Sequence, residues 1–281
     1  MSWAKSIVHW QDSGRVFISV PFTWYLPKAK TLCTWYKDAG YYVYAGGPAV
    51  DLMPEYIRGV ADQVGGEFHP SPLKRHNPHA TFTSRGCIHN CGFCAVPKIE
   101  GELRELPPDK WIPAPIVCDN NLLATSQRHF DLVIDRLKGL KAVDFNQGLD
   151  VRSLNEHHIE RLQELWLPQL RFAFDHTNME ARIVDVFRMV LNAGFAKRRL
   201  NCYIMYGYHD SPTDALHRAN VIKSLGIKSF VQRFQPIEGE HALVKDSWVG
   251  PEWTDQEMHR FQRYWCRQAW LSKIPYAEFT G

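Results

Sequence analysis

The sequence lacks the long apolar run that a membrane-spanning helix requires. No stretch of about eighteen apolar residues occurs in its 281 residues. The first residues, MSWAKSIVHWQDSG, also lack a basic region followed by an apolar stretch, which is the pattern of a secretory signal. We therefore expect a cytoplasmic protein with no membrane partner.

The chain also lacks a strong excess of charge. Its 33 Lys and Arg residues nearly balance its 30 Asp and Glu residues, which leaves a net charge of +3. This charge does not by itself indicate a nucleic-acid partner, but it permits one where basic residues cluster. Apolar residues make up 45% of the chain, which is enough for a full hydrophobic core. The length accommodates one large domain, or one domain with a smaller attachment.

An even set of paired cysteines, which is typical of disulfide-rich secreted proteins, is absent. The chain has seven cysteines, and in a reducing compartment they are expected to be thiols or metal ligands. Three of them stand in the segment RGCIHNCGFCAVP at a C-x3-C-x2-C spacing, namely Cys87, Cys91 and Cys94. The other four are scattered and form no second C-x-x-C motif: Cys33, Cys118, Cys202 and Cys266. A second metal cluster is therefore not indicated.

Three neighbouring thiols are consistent with more than one metal. Structural zinc takes four ligands, usually as two separated pairs, so a zinc site here would need a histidine as its fourth ligand. The candidates for that histidine are His69, His76, His79 and His89. A [4Fe–4S] cluster held by three cysteines leaves one iron open, and an open iron can bind and activate a small molecule. Unliganded thiols at this density would be prone to oxidation. The spacing favours the cluster.

The first 75 residues predict a small α/β unit. Strand-like runs occur at 16–22 and 41–48, and helical spacing occurs at 28–37 and 53–63. A segment rich in proline and histidine at 69–80 follows and predicts a boundary. We expect domains at 1–75, 76–240 and 241–281.

Strand-like and helix-like segments alternate after the cysteine segment, with helical spacing at 126–140, 155–166, 181–195 and 214–226. With 81–86 counted as the first strand, the strand-like runs are 81–86, 115–121, 142–150, 170–177, 201–210 and 229–236. Such alternation indicates βαβ units and a parallel sheet. Six strands are fewer than the eight of a closed TIM barrel. The prediction is an α/β fold built on a partial (β/α)6 TIM-like barrel, with the small N-terminal α/β unit and a C-terminal helix.

The C-terminal segment predicts a helix with a defined start. Thr254 and Glu257 fit a T-x-x-E capping box. Apolar residues at roughly helical spacing follow, at Met258, Phe261, Trp265 and Leu271. We expect this helix to pack against the barrel; a lid or a partner-binding helix is the alternative.

On the three cysteines, with Phe93 as the aromatic residue before the last of them, the sequence resembles the radical S-adenosylmethionine (radical SAM) enzymes. The flanks SRGC and CAVP resemble the branch that includes the tRNA methylthiotransferases, and the resemblance spans about 81–236. It implies that Cys87, Cys91 and Cys94 hold a [4Fe–4S] cluster whose open iron chelates SAM. It also implies an electron donor such as flavodoxin or ferredoxin, reductive cleavage of SAM, and a 5′-deoxyadenosyl radical that abstracts a hydrogen atom from the substrate.

The same resemblance implies that SAM is held by residues at the carboxyl ends of the strands. Arg152 is the expected partner of the SAM carboxylate, since guanidinium binds carboxylate bidentately, although an ion pair with a nearby carboxylate is an equal alternative. The other candidate cofactor-binding residues are Phe93, Asp119, Asn120, Asn121, Gln147, Asp150, Asp175, Tyr206, Arg233 and Gln235. His176 and His209 are candidate proton donors, or structural histidines. Cys118, beside the SAM-binding segment, is a candidate catalytic thiol or a buried one.

The sequence departs from its relatives in two respects. The N-terminal unit has only Cys33, whereas the methylthiotransferases carry a second cluster there, and the C-terminal segment is helical rather than a β-rich RNA-binding domain. Sulfur insertion is therefore not expected. The N-terminal unit also resembles a shortened cobalamin-binding domain that lacks the Asp-x-His-x-x-Gly motif, so we expect no cobalamin.

Three functional hypotheses remain open. The first is a radical SAM enzyme that modifies a nucleic-acid base or a nucleotide by rearrangement or carbon–carbon bond chemistry, with basic segments such as LKRHNPHA and AKRRLN as its motivation. The second is the same chemistry on a small metabolite or a peptide. The third is a non-enzymatic iron–sulfur or zinc-binding module.

Overall fold

The chain divides into two units that interleave along the sequence. The computed structural model describes residues 3–4, 6–66, 71–267 and 274–280. Unit 1 comprises Met1–Ala80, His89–Gly101 and Gln235–Ser247, and unit 2 comprises Thr81–Ile88, Glu102–Phe234 and Trp248–Gly281. This division is discontinuous, because His89–Gly101 and Gln235–Ser247 belong to unit 1 although the segments on either side of each belong to unit 2. The domain limits at 75 and 240 stay a prediction.

Unit 1 is built on a four-stranded sheet in the order β1-β2-β3-β4. Its strands and helices up to the start of unit 2 are β1 (Val8–Asp12), β2 (Arg15–Ser19), α1 (Leu26–Asp38), β3 (Tyr42–Gly46), α2 (Pro48–Leu52), α3 (Pro54–Ile57), β4 (Gln63–Val64) and α4 (Leu73–His76). β1 runs antiparallel to β2, while β2, β3 and β4 are parallel. Ser13 and Gly14 connect β1 to β2 with φ of 48° and 77°, the combination that a tight two-residue hairpin turn requires.

The two faces of this sheet differ in chemistry. Strand residues alternate between faces, so Val16 and Ile18 of β2 and Val43 of β3 share one face, which packs with the buried side of α1. On the other face Trp10 and Phe17 stack at 5.2 Å between ring centroids, and Phe17 and Tyr44 at 4.8 Å. The hydrophobic core of unit 1 therefore lies between the sheet and α1.

The remaining elements follow in chain order. They are β5 (Ala80–Thr81), β6 (Ser84–Arg85), α5 (Val96–Ile99), β7 (Arg104–Glu105), β8 (Ile116–Val117), α6 (Gln127–Leu137), β9 (Asp144–Phe145), α7 (Glu156–Leu162), β10 (Leu170–Ala173), α8 (Glu180–Asn192), β11 (Leu200–Tyr206), α9 (Pro212–Ser224), β12 (Lys228–Arg233) and α10 (Asp255–Cys266). α5 belongs to unit 1. β5, β8 and β9 form one sheet, β10, β11 and β12 a second, and β6 pairs with β7.

The mixed α/β class is confirmed, and the described strands do not close into a barrel. β9 pairs with β8, and it forms no ladder with β10 among the described strands. Instead, Leu149 N–H donates to Arg171 O at 2.8 Å, and the Arg171 guanidinium pairs with Asp144 with its Nη2 3.1 Å from Oδ2. Backbone and ion-pair contacts thus connect the two sheets of unit 2 where a continuous ladder is absent.

α10 confirms the predicted start of the C-terminal helix. Thr254 Oγ1 accepts from Glu257 N–H at 3.2 Å, and Glu257 Oε2 accepts from Thr254 N–H at 2.8 Å. Met258, Phe261 and Trp265 are buried in the core of unit 2. Leu271, which extended the predicted pattern, lies outside the described residues.

The helix expected over 53–63 is wrong in its length. α3 ends at Ile57, and Gly59 has a φ of +95°, a conformation that an α-helix cannot contain. The chain then enters β4 at Gln63. Among the described residues, no helix is long and apolar enough to cross a membrane.

Candidate metal centre

The cysteine loop leaves and re-enters unit 2 through a short antiparallel ladder. Ser84 pairs with Glu105 and Arg85 with Arg104, and Leu106 N–H donates to Thr83 O at 2.9 Å. Gly86 follows the first strand of this ladder with a φ of +77°, a conformation that glycine adopts without steric cost. Both ends of the loop are therefore fixed where the chain enters and leaves it.

Asp119, at the carboxyl end of β8, holds the strand that leads into this loop. Its Oδ1 accepts from Thr83 N–H at 2.6 Å, and its Oδ2 accepts from the hydroxyls of Thr83 and of Ser84, the latter at 2.8 Å. Burial raises the pKa of the Asp119 carboxyl, and the hydrogen bonds from Thr83 and Ser84 oppose that rise. These contacts give Asp119 a structural role; its predicted contact with SAM stays a prediction.

The three loop cysteines are partly accessible. Cys87 belongs to unit 2, and Cys91 and Cys94 belong to unit 1, where Cys94 N–H donates to Cys91 O at 3.0 Å and closes a tight turn. Phe93 lies in that turn and is half-buried. All seven cysteines lie in the described part of the chain, and none forms a disulfide. Three thiols thus remain available as ligands within one short segment.

Asn121 connects the cysteine loop to the next strand end. It is 3% exposed, and its Nδ2 donates to Cys87 Sγ at 3.6 Å and to Asp150 Oδ2 at 3.0 Å. Its Oδ1 is buried and has no hydrogen-bond partner among the described residues. A buried acceptor without a partner is energetically costly, so this oxygen marks a place where a ligand's N–H or O–H group would be stabilised.

Asp150 and Arg152 form an ion pair beside Asn121. Asp150 Oδ1 accepts from Arg152 N–H at 3.0 Å and from Arg152 Nε at 2.8 Å. The Arg152 side chain is 45% exposed, so it reaches solvent while its Nε is engaged. The alternative noted from the sequence, an ion pair with a nearby carboxylate, is therefore present. The predicted contact with the SAM carboxylate would use the guanidinium's other nitrogens.

Cys87, Cys91 and Cys94 are the candidate donors, and their role as ligands of a [4Fe–4S] cluster stays a prediction. Within residues 3–4, 6–66, 71–267 and 274–280, no three or more His, Cys, Asp or Glu side chains are grouped to hold one metal ion. The cysteines of a cubane bind separate irons, so their sulfur atoms lie farther apart than the ligands of one ion. The Asn121 N–H group that points at Cys87 Sγ would stabilise a thiolate there, which is the form of cysteine that binds metal. His69, a candidate zinc ligand, lies outside the described residues.

Three predicted site residues have structural partners elsewhere. Tyr206 is fully buried, and its hydroxyl donates to Met258 O at 3.2 Å. Arg233 donates from Nε to Trp248 O at 2.9 Å and from Nη2 to Asp255 at 3.0 Å. Gln235 Nε2 donates to His241 O at 2.6 Å. β12 ends at Arg233, so Gln235 lies beyond the strand, and the predicted contacts of these three residues with the cofactor stay predictions.

The candidate catalytic residues are not brought together around Asn121. Cys118 is 1% exposed, and burial, followed by the charges of Asp119 and Asp144, raises its pKa to about 12, so the thiol is protonated at neutral pH. His176 is exposed, and its Nδ1 accepts from Asn178 N–H at 3.2 Å. His209 is exposed with its ring 4.0 Å from that of Tyr208. Catalytic roles for Cys118, His176 and His209 stay predictions that these surroundings do not support.

The other predicted cofactor contacts have ordinary surroundings. Gln147 is exposed and Asn120 is half-buried. Asp175 accepts from Met205 N–H at 3.3 Å, and burial raises the pKa of its carboxyl while Met205 N–H and Arg218 oppose the rise.

Sequence reasoning missed Arg218. This residue of α9 is 1% exposed, donates to Phe174 O at 2.9 Å and to Met205 O at 2.8 Å, and pairs with Asp210. It thereby ties together the carboxyl ends of β10 and β11. The signal was available, since Arg218 stands on the apolar side of a helix beside Ala215 and Ala219.

Comparison with known proteins identifies the fold. No family model and no curated protein sequence matches the chain. Among solved structures, the radical SAM methyltransferase TsrM from Kitasatospora setae, with cobalamin and a [4Fe–4S] cluster bound, has a TM-score of 0.57 at 10% identity over 77% of this chain and 63% of its own. The same enzyme with a tryptophan substrate and the SAM analogue aza-SAM has a TM-score of 0.55 at 10% identity, over 77% and 61%.

The chain has the fold of radical SAM enzymes. The resemblance inferred from the cysteine motif is thus confirmed at the level of the fold, while the narrower likeness to the tRNA methylthiotransferase branch stays a prediction. The chain spans less than two thirds of the length of TsrM. Coproporphyrinogen III oxidase (HemN) from Escherichia coli, at a TM-score of 0.40 and 13% identity over 57% of this chain and 40% of its own, is too distant to bear on the fold.

The expectation that cobalamin plays no part is contradicted by this comparison. The solved structure that shares the fold over 77% of this chain contains cobalamin together with a [4Fe–4S] cluster. The expectation was based on the missing Asp-x-His-x-x-Gly motif. That motif supplies a histidine to the cobalt atom, whereas most of the surface of a corrinoid is its ring and its amide groups, which a protein can bind without ligating the metal.

Proposed function

We propose that this chain is a radical SAM enzyme that holds a [4Fe–4S] cluster through Cys87, Cys91 and Cys94. The contact that carries the proposal is the one between Asn121 Nδ2 and Cys87 Sγ, at 3.6 Å, at the base of the three-cysteine loop in a fold shared with radical SAM enzymes. When bound, the reduced cluster supplies the electron that cleaves a C–S bond of SAM. Flavodoxin or ferredoxin is the proposed electron donor.

The residues around Asn121 would bind SAM and keep it in place. The Asn121 Oδ1 atom, buried and without a partner among the described residues, would accept a hydrogen bond from the SAM amino group or ribose. Arg152, half-exposed beside Asp150, would meet the SAM carboxylate with the guanidinium nitrogens that do not contact Asp150. We further propose that β5 and β8–β12 form the wall of a partial (β/α)6 barrel, a proposal that the parallel pairing of β8 with β9 and of β11 with both β10 and β12 supports.

Iron content and SAM products test this proposal. Anaerobic reconstitution is expected to give a brown protein with about four irons per chain. The Cys91→Ala variant is expected to lose the cluster, while Cys266→Ala, an exposed cysteine outside the loop, is expected to keep it. With SAM and dithionite, the wild-type chain should release 5′-deoxyadenosine, or S-adenosylhomocysteine if the reaction is methyl transfer. A colourless protein that leaves SAM intact would instead support a zinc or other non-enzymatic metal-binding module.

A nucleic-acid base or nucleotide is the proposed substrate that follows from the basic segments. Lys197 and Arg198 are exposed, and the Arg199 guanidinium lies 3.8 Å from the ring centroid of Trp166, so these residues form a basic and aromatic patch. The patch precedes β11, however, and the cofactor residues follow the strands. A strand of seven residues separates the two edges of the sheet by roughly 20 Å. This patch could bind a polymer but would not line the cofactor site.

Methyl transfer to a small aromatic metabolite is a second candidate, and the comparison with TsrM favours it. The solved TsrM structures are described as a methyltransferase with cobalamin in one case and with a tryptophan substrate in the other. In unit 1 His9 Nδ1 lies 3.0 Å from Tyr36 Oη, and His76 Nε2 lies 2.9 Å from Ser19 Oγ, so these two histidines already have partners other than cobalt. A corrinoid bound through its ring and amide groups would need neither histidine as a ligand.

Binding measurements separate the two substrate classes. A nucleic-acid substrate predicts binding to RNA or DNA that weakens steeply as salt rises, since several phosphate contacts release counterions. A small aromatic substrate predicts no such binding, together with a labelled methyl group transferred from SAM to tryptophan or a related indole. Binding of hydroxocobalamin by unit 1 would be read from a change in its visible spectrum.

A further inference from the structure

The Asn121 amide has a fixed orientation that points an N–H group at Cys87. A carboxylate only accepts hydrogen bonds, so the atom 3.0 Å from Asp150 Oδ2 must be the Asn121 nitrogen and not its oxygen. The same nitrogen lies 3.6 Å from Cys87 Sγ. An amide nitrogen carries two hydrogens, so one serves Asp150 and the other serves the sulfur.

The Asp150 carboxylate is itself held in place. Its Oδ1 accepts two hydrogen bonds from Arg152, at 3.0 Å from the backbone N–H and at 2.8 Å from Nε. This leaves Oδ2 directed at Asn121. A continuous chain of contacts thus runs from Arg152 through Asp150 and Asn121 to Cys87. Asn121 is 3% exposed, and its nitrogen contacts both Asp150 and Cys87, which together hold the amide in this orientation.

We propose that Asn121 is a positioning residue that raises the reduction potential of the cluster through its N–H···S bond to Cys87. The inference rests on the proposed function, since it takes Cys87 as a cluster ligand. Reduction adds one electron, whose charge is shared by the cluster and its thiolates, so a donor at a ligand sulfur stabilises the reduced form more than the oxidised form. Exclusion of water around Asn121 strengthens this effect.

This role explains a combination that SAM binding alone does not. Contact with SAM would use only the Asn121 oxygen, and it leaves the two contacts of the nitrogen with Asp150 and Cys87 without an explanation. The Asp150–Arg152 pair then serves to orient the amide and to neutralise the charge of Asp150 near the cluster. The two halves of the amide thus have separate roles: the nitrogen donates to the Cys87 sulfur, and the oxygen is available to accept from a ligand.

The test is a redox titration of the reconstituted protein without SAM, followed by electron paramagnetic resonance. Asn121→Leu retains the approximate volume and removes both N–H groups. We expect it to shift the equilibrium toward the oxidised cluster roughly tenfold, which is about 59 mV for a one-electron couple. Asn192→Leu, the same change at an exposed position at the end of α8, is expected to leave the potential unchanged.

A second variant keeps the inference testable if Asn121→Leu does not retain its cluster. Asn121→Asp has the same shape but places an acceptor against Cys87 Sγ, so its potential should fall at least as far. A signal from an exchangeable proton coupled to the reduced cluster should be present in the wild-type protein and lost in both variants. Iron content measured on each sample separates loss of the cluster from a change in its potential.

The outcomes distinguish this inference from the proposed function. A wild-type protein with about four irons per chain and variants at the wild-type potential would overturn the role of Asn121 while leaving the cluster assignment in place. A wild-type protein that takes up no cluster would overturn both. A tenfold shift confined to the Asn121 variants would support both.

Discussion

At the residue scale, three neighbouring side chains after β8 do three different things. Cys118 packs in the core, Asp119 binds the strand that precedes the cysteine loop, and Asn121 contacts the loop's first cysteine. Asp119 and Asn121 are two residues apart and both serve the loop. Asp119, Asn120 and Asn121 were all predicted to contact SAM, because a polar run at the end of a strand predicts a ligand-binding edge but does not separate direct contacts from supporting ones.

Asp119 is expected to be among the side chains on which stability depends most. Asp119→Ala would leave buried donors of Thr83 and Ser84 without an acceptor, each at a cost of roughly 1–3 kcal/mol, so we expect a loss of about 3 kcal/mol or more in the free energy of unfolding. Asp119→Asn retains one acceptor and the neutral form that burial favours, so it should lose less. Chemical denaturation of the metal-free protein measures both.

The control for this prediction is Asp109→Ala. Asp109 is exposed and lies 3.8 Å from Lys110, so its removal should change stability by less than about 0.5 kcal/mol. Equal midpoints for the Asp109 and Asp119 variants would show that the buried hydrogen bonds of Asp119 do not hold the loop's entry strand.

At the element scale, periodicity predicted the elements that carry a strong pattern. The helical spacing over 126–140 and 181–195 corresponds to α6 and α8, whose buried residues recur on one side. β1 was not predicted, because only Trp10 among its five residues is buried. The pattern also could not show that β6 and β7 close the neck of the cysteine loop, since a ladder of two residues per strand has no periodicity to detect.

The face of a strand that meets a ligand was likewise beyond the sequence. Arg233 stands on the buried side of β12 with Ser229 and Val231, and its guanidinium turns to Trp248 O and Asp255. A buried charge needs partners, and both a cofactor and a helix end can provide them. Only the position of α10 decides between the two.

The capping box of α10 provides a test at this scale. Thr254→Ala removes the acceptor for Glu257 N–H and should lower the free energy of unfolding by about 1 kcal/mol, since a lost N-cap hydrogen bond typically costs that much. Thr254→Ser keeps the hydroxyl and is the matched control, expected near the wild-type value. Thermal unfolding measures both, and equal losses in the two variants would attribute the effect to packing of the Thr254 methyl group instead.

At the scale of the whole molecule, the sequence indicated the cofactor more clearly than the substrate. The three cysteines identified the fold because their spacing is tied to one cofactor. A substrate site is generally built from side chains that come together from distant parts of a chain, and the interleaving of 89–101 and 235–247 into unit 1 has no signature in a linear pattern. The missing cobalt-ligand motif was likewise a poor guide to cobalamin, because the surfaces that bind a corrinoid ring also come from separate parts of a chain and leave no short motif.

The dependence of SAM binding on the cluster is measurable as a property of the whole chain. A ligand that binds only the native state stabilises it, by about 2.7 kcal/mol at a hundred times its dissociation constant. In a protein of this size, each kcal/mol raises the thermal midpoint by about 2 °C, so SAM should raise the midpoint of the cluster-loaded protein by roughly 5 °C. Cys91→Ala should show almost none of this shift, because the open iron that chelates SAM would be missing, whereas Cys266→Ala should show all of it. If the Cys91 variant responded to SAM as the wild-type chain does, SAM would be bound by the protein alone, and an open iron would not be its principal ligand.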